Sequence, residues 1–126
     1  MIRKFGVKDY KDYCHWLLKR NRPVPSLDEL PNEGYICNEC VIGFLQDSGK
    51  AIVMCNFASK EDEKRSDSVD ELIDFFVCIA KERGYRYIMM GTTLPTLIKR
   101  LERKGFSVFE ENVTHMGMIC QPAAQQ

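Results

Sequence analysis

Apolar side chains recur along this chain with two periods, and the switch between them separates helices from strands. In residues 68–84, Val69, Leu72, Ile73 and Phe76 fall at i, i+3, i+4 and i+7, while Phe75, Val77 and Ile79 widen the stripe. This predicts a helix buried on more than one side. Ser68-Val69-Asp70-Glu71 reads as a capping box at its start, Lys81 and Arg83 suit the dipole at its end, and Gly84 stands where a left-handed residue stops it. Residues 85–90 are aromatic and apolar, as a central strand requires, and Leu94, Leu97, Ile98 and Leu101 mark a second helix closed by Gly105. A strand over 50–57 precedes the first helix, so strand, helix and strand form a parallel pair with a right-handed crossover.

Upstream, residues 1–5 read as a short strand. Residues 7–20 follow as a helix with Val7, Tyr10, Tyr13, Cys14 and Leu17 on one face, which leaves His15 toward solvent and without a role. Pro23, Pro25 and Pro31 make 21–34 a loop with one helical turn at 26–30. Residues 35–39, 40–46 and 50–57 form an antiparallel meander turned at Asn38-Glu39 and at 47–49, and the mixed charges of 58–67 read as a solvated loop. Beyond Gly105, residues 106–110 and 114–120 pair as a hairpin through 111–113. The expectation is an α/β fold, a mixed central sheet in the order β-α-loop-β-β-β-α-β-α-β-β, with one domain over 1–120 and a frayed tail over 121–126.

Composition narrows the function classes. Eighteen basic and eighteen acidic residues give zero formal net charge, so the broad basic field that draws proteins to nucleic acid or anionic lipid is missing. No apolar run reaches the ~18 residues of a membrane span, and Met1-Ile2-Arg3-Lys4 lacks the start of a signal peptide. The expected compartment is the cytoplasm. The six cysteines lie largely in apolar patterns, as free core thiols do. Cys37-Asn38-Glu39-Cys40 is a C-x-x-C without a second half-site, and no metal is assigned to it.

Ala80-Lys81-Glu82-Arg83-Gly84-Tyr85, followed by Leu97-Ile98-Lys99-Arg100-Leu101-Glu102-Arg103-Lys104-Gly105-Phe106, resembles two helix endings of the GCN5-related N-acetyltransferase (GNAT) superfamily. The element order is similar over nearly the whole chain. The fragment 55–61, Cys55-Asn56-Phe57-Ala58-Ser59-Lys60-Glu61, also resembles small GNAT-like proteins of bacteriophage genomes. The resemblance implies transfer of acetyl from acetyl-CoA to an amine of a small molecule or a protein lysine. By it, the CoA diphosphate meets the loop 64–70, with Lys64, Arg65, Ser66 and Ser68 as contacts, and the pantetheine arm enters between the fourth and fifth strands beside Asn56, Phe57, Thr92 and Thr93. Thr92 and Thr93 also suit capping of the next helix.

The chain departs from the superfamily pattern twice. The diphosphate loop has no glycine, Asp67 and Val69 standing where backbone usually approaches phosphate, and Leu101 replaces a tyrosine thought to protonate the departing thiolate. Tyr85 or Tyr87 is then the candidate acid, and His115 or Glu39 the candidate base; Glu110 is weighed alongside them. Asp28, Glu29 and Glu33 suit a cationic acceptor. A homodimer through the last strands is common in the superfamily. The alternative is a GNAT-fold protein that has lost turnover and binds a protein partner, a host factor if the phage resemblance holds.

Overall fold

A computed structural model describes residues 1–92, 94–110 and 115–120. Its elements are β1 (Ile2–Lys4), α1 (Tyr10–Lys19), β2 (Glu33–Cys37), β3 (Val41–Ser48), β4 (Ala51–Ser59), α2 (Arg65–Glu82), β5 (Tyr87–Gly91), α3 (Pro95–Arg103), β6 (Ser107–Glu110) and β7 (His115–Ile119). The strands form one sheet in the order β1-β2-β3-β4-β5-β7-β6. Among the described strands only β4 and β5 run parallel, joined across α2, and the other pairings are antiparallel. The expected order of elements is therefore the observed one.

Strand alternation sorts the apolar side chains onto two cores. Ile36, Ile42 and Phe44 face α1 and pack with Tyr13, Trp16 and Leu17. Val41, Leu45, Ile52 and Ile88 face α2 and pack with Leu72, Ile73 and Phe76. Both faces of β3 are covered in its first five residues, which is why Val41–Leu45 reads as an unbroken apolar run rather than an alternating one. Helix α3 lies beside α2, with Leu101 in the same core and Arg100 and Lys104 paired to Asp70 at 2.8 and 3.4 Å.

The two glycine-ended motifs have one physical cause. Gly84 (φ 75°) and Gly105 (φ 96°) are left-handed residues that end α2 and α3. After each, the next amide reaches back five residues, Tyr85 N–H to Ala80 O and Phe106 N–H to Leu101 O, both at 3.0 Å. These are Schellman caps, and the buried partners Ala80 and Leu101 supply the apolar contact that accompanies them.

Four expectations are corrected. Helix α2 begins at Arg65, a turn before the expected capping box, because the Asp62 carboxylate accepts the Lys64 N–H (2.8 Å) and its carbonyl accepts the Arg65 N–H (3.1 Å). Residues 58 and 59 belong to β4, so the charged loop shrinks to 60–64. Val7 is 74% exposed in a short 3-10 turn, and Trp16 takes its place on the buried face of α1. Tyr85 precedes β5 rather than lying in it. The turn at 111–113 and the tail 121–126 lie outside the described residues.

Replacing Gly84 by Ala forces a Cβ into left-handed backbone and should cost about 1–2 kcal/mol. Gly6, at φ −122° with 3.8 Å of room, is the control, and Gly6→Ala should cost less than about 0.5 kcal/mol. Urea unfolding of the two variants checks both.

Candidate functional site

Strands β4 and β5 pair only from Ala51↔Tyr87 to Met54↔Met90. Beyond Met54, β4 bulges: Phe44 pairs with Cys55 and Ile42 with Ala58, so Asn56 and Phe57 together oppose Gly43. Asn56 takes the left-handed conformation (φ 55°), which Asn tolerates better than most residues. The extra residue reverses the alternation. Phe57 thereby joins Ile52 and Met54 on the α2 face, 6.0 Å from the Phe76 ring centre, while Ala58 returns to the α1 face with Cys55. A Cβ on Gly43 would lie 2.9 Å from the Phe57 ring, so the bulge needs glycine opposite it. From the α1 side, Tyr13 Oη donates to Asn56 O at 2.8 Å and pins the kink.

Where the strands part, a cavity of about 850 Å³ opens, lined by Val53 to Phe57 of β4, Met90 to Thr92, and Leu94 and Leu97 at the start of α3. It adjoins a smaller cavity, about 220 Å³, over the first turn of α2. Arg20 and Arg22 border both, and Arg65 and Arg100 border the second. Four guanidiniums from three parts of the chain thus converge on one cleft. The backbone N–H groups of Ser66 and Asp67, in the first turn of α2, have no acceptor among the described residues. Free amides, the positive end of a helix and convergent arginines suit an anion at the mouth of an apolar slot.

The expected site residues divide by position. Asn56, Phe57, Arg65 and Thr92 line the cleft. Thr92 Oγ1 also accepts the Leu94 N–H at 3.1 Å and so steadies the entry to α3. Ser66 Oγ accepts from Arg100 at 3.0 Å on the outer side of α2. Lys64, the N-cap, is exposed and lines neither cavity. Ser68 is fully buried, its hydroxyl accepting from Asn38 Nδ2 (2.8 Å) and the Cys40 thiol (3.2 Å), so it is turned away from any diphosphate. Thr93 lies outside the described residues.

The proton-transfer candidates fare less well. Tyr85 donates to Asp47 at 3.0 Å at the opposite end of the sheet, and Tyr87 pairs with Ala51 at the start of β5, about 10 Å along the strand from Met90. Neither reaches the cleft. Glu39 sits in the β2–β3 turn, where two bonds from Arg3 (2.7 and 2.8 Å) hold its carboxyl below the usual range and make it a poor base. The backbone of His115 lies opposite Gly91, at the cleft end of β5. Leu101 faces the core, and the positions of α3 that border the cavities are Leu94, Thr96, Leu97 and Arg100. Cys55 borders the cleft, but burial pushes its thiol up to about 11, so it is protonated at neutral pH. The Cys37 and Cys40 thiols point to separate oxygens of α2, on Glu71 and Ser68. The acidic acceptor patch is also dispersed. Glu33 lies in β2 and pairs with Arg83, and Glu29 caps the Ser26 turn, which leaves Asp28.

No family model matches the chain, and no curated protein sequence matches it. Solved structures do match, and they show the fold. An aminoglycoside 6'-N-acetyltransferase from Enterococcus faecium superposes with a TM-score of 0.74 at 12% identity over 97% of this chain and 98% of its own. The ribosomal-protein-S18-alanine N-acetyltransferase from Escherichia coli gives 0.73 at 13% identity over 98% and 95%. Rv2747 from Mycobacterium tuberculosis, solved in complex with CoA, gives 0.77 at 10% identity over 94% and 98%. The architecture is that of the GNAT acetyltransferases.

The cleft fits the cofactor that fold implies. An apolar slot beside an unpaired stretch of β4 suits an extended amide-bearing arm, and the arginines and free amides suit a diphosphate. Asp67, the residue most opposed to an anion, is exposed and borders neither cavity.

Burial raises the Tyr13 phenol to about 12 while it donates to Asn56 O. A proton held more tightly in the folded state means stability that is intact below pH ~10, the unfolded value, and lost as pH rises toward 12. Tyr13→Phe should flatten part of that alkaline loss in urea midpoints measured from pH 9 to 12.

Proposed function

We propose that this chain is an N-acetyltransferase that moves acetyl from acetyl-CoA to an amine. The observation that carries the reading is the parting of β4 from β5 after Met54 and Met90, opening a slot that ends at the arginine-flanked first turn of α2. Acetyl-CoA, when bound, supplies an activated thioester. The unpaired edge of β4 around Cys55 to Phe57 would orient its arm. Leu94, Leu97 and Phe57 would keep water from it, and Arg65 with the amides of Ser66 and Asp67 would neutralise the diphosphate. His115, by its register opposite Gly91, is the residue we assign to take the proton from the acceptor ammonium. Acceptors with an amine, on a small molecule or a lysine side chain, match this chemistry, and Asp28 remains to attract a cation.

One observation favours a second reading. The face of α3 toward the cleft carries Leu94, Thr96, Leu97 and Arg100, with no phenol to protonate a thiolate, and the first turn of α2 has no glycine. These features suit a fold that has lost turnover and binds a protein partner, a host protein if the chain is phage-encoded.

Calorimetric titration with acetyl-CoA separates the readings. The enzyme reading expects micromolar binding, worth about −8 kcal/mol. Arg65→Ala should weaken it roughly tenfold, and Lys64→Ala, outside the cleft, should leave it unchanged. Absence of heat at millimolar ligand would leave the second reading standing. With an acceptor in hand, His115→Ala should lower kcat by about 10²-fold or more at unchanged CoA affinity. An unaltered kcat would remove His115 from the chemistry.

A further inference from the structure

Glu61 borders neither cavity of the cleft itself, yet it pairs with two of the arginines that do. One of its carboxylate oxygens, Oε1, accepts from Arg20 Nη2 at 3.2 Å and from Arg65 Nη1 at 3.4 Å. Two guanidiniums, one just past the end of α1 and one opening α2, are therefore turned onto a single anionic oxygen beside the cavity that both line. Arg20 is held in that pose by a second bond, Nε to the carbonyl of Ser59 at the end of β4 (3.1 Å). Arg100, across the same cavity, is different. It closes on Asp70 at 2.8 Å and on the Ser66 carbonyl at 3.0 Å, and its role is to bolt α3 to α2.

The Glu61 contacts are long for charge-assisted bonds, and its side chain is 83% exposed on the five-residue loop between β4 and α2. Such a pair is weak and easily exchanged. A phosphate oxygen satisfies the same fork of donors and carries more charge.

We propose that Glu61 is a built-in stand-in for the diphosphate: it holds Arg20 and Arg65 in their anion-receiving pose and competes with CoA for them. The inference rests on the acetyl-CoA reading of the cleft and adds to it that the anion is recognised by side-chain cations from two parts of the chain, with an internal carboxylate setting the affinity. Arg20 becomes a binding residue, and Glu61 a determinant of how tightly CoA is held.

The test titrates CoA and, separately, inorganic pyrophosphate into the wild-type chain, Glu61→Gln, Arg20→Gln and the double variant, with thermal melts to show that all four are folded. Glu61→Gln should tighten both ligands roughly two- to tenfold, the range that two exposed ion pairs span. Arg20→Gln should weaken both, and in its presence Glu61→Gln should gain much less, because half of the competition is gone. CoA bound with unchanged or weaker affinity by Glu61→Gln would overturn the inference and leave the enzyme reading intact. Pyrophosphate tightened by Glu61→Gln while no variant binds CoA would uphold the arginine–glutamate competition and remove the cofactor. Neither ligand bound by any variant would overturn both.

Discussion

Everything at the candidate site depends on one left-handed residue in the middle of a strand. Asn56 adds a residue to β4 opposite Gly43, and three things follow from that insertion. Phe57 changes face and enters the α2 core against Phe76. The backbone of β4 turns away from β5 after only four paired residues, which opens the slot. A carbonyl is presented to α1, where Tyr13 receives it, so the helix on one face of the sheet and the helix on the other are both fitted to the same kink. Left-handed backbone is disfavoured for residues with a Cβ, and here packing on both faces and the Tyr13 hydrogen bond oppose its relaxation.

The features legible in the sequence are those set by local chemistry. Both helix ends were readable because a Schellman cap needs only a glycine and an apolar residue after it, and Gly84-Tyr85 and Gly105-Phe106 supply them within two positions. The Asn38-Glu39 turn was readable for a similar reason, its two left-handed residues lying where two strands must reverse. The start of α2 is not set by the Ser68 capping box, because Asp62 offers its acceptors to the chain a turn earlier. The Asp62 carboxylate turns the chain into the helix, and the Ser68 hydroxyl is drawn inward by Asn38 and Cys40 from a distant hairpin. No local pattern records that distant contact.

The cleft was only half legible, and the missing half is geometric. In a parallel strand-helix-strand unit the ligand end is the carboxyl end of the strands, so Tyr85 and Tyr87, which precede or open β5, were at the wrong end by a rule that the sequence already allowed. Asn56 within an apolar strand was a readable sign of a bulge. Arg20, Arg22 and Arg100 carried no such sign. They are separated by up to eighty positions and meet only because α1, the end of β4 and α3 converge around the gap.

That convergence would also let a chain of zero net charge present the anion site proposed for it. Net charge governs the far field, which screening removes within about 10 Å at ordinary salt. Inside the cleft the near field decides. There the acidic residues that balance the arginines are placed unequally: Asp70 is committed to Arg100 at 2.8 Å, whereas Glu61 spans Arg20 and Arg65 at more than 3 Å from an exposed loop. The first arrangement fixes the architecture of the cleft. The second leaves two cations oriented and only loosely neutralised. A chain without a glycine-rich backbone cradle can still suit an anion, since the task can pass from amides, which require close approach of the main chain, to guanidiniums, whose longer side chains would clear the Cβ atoms of Asp67 and Val69.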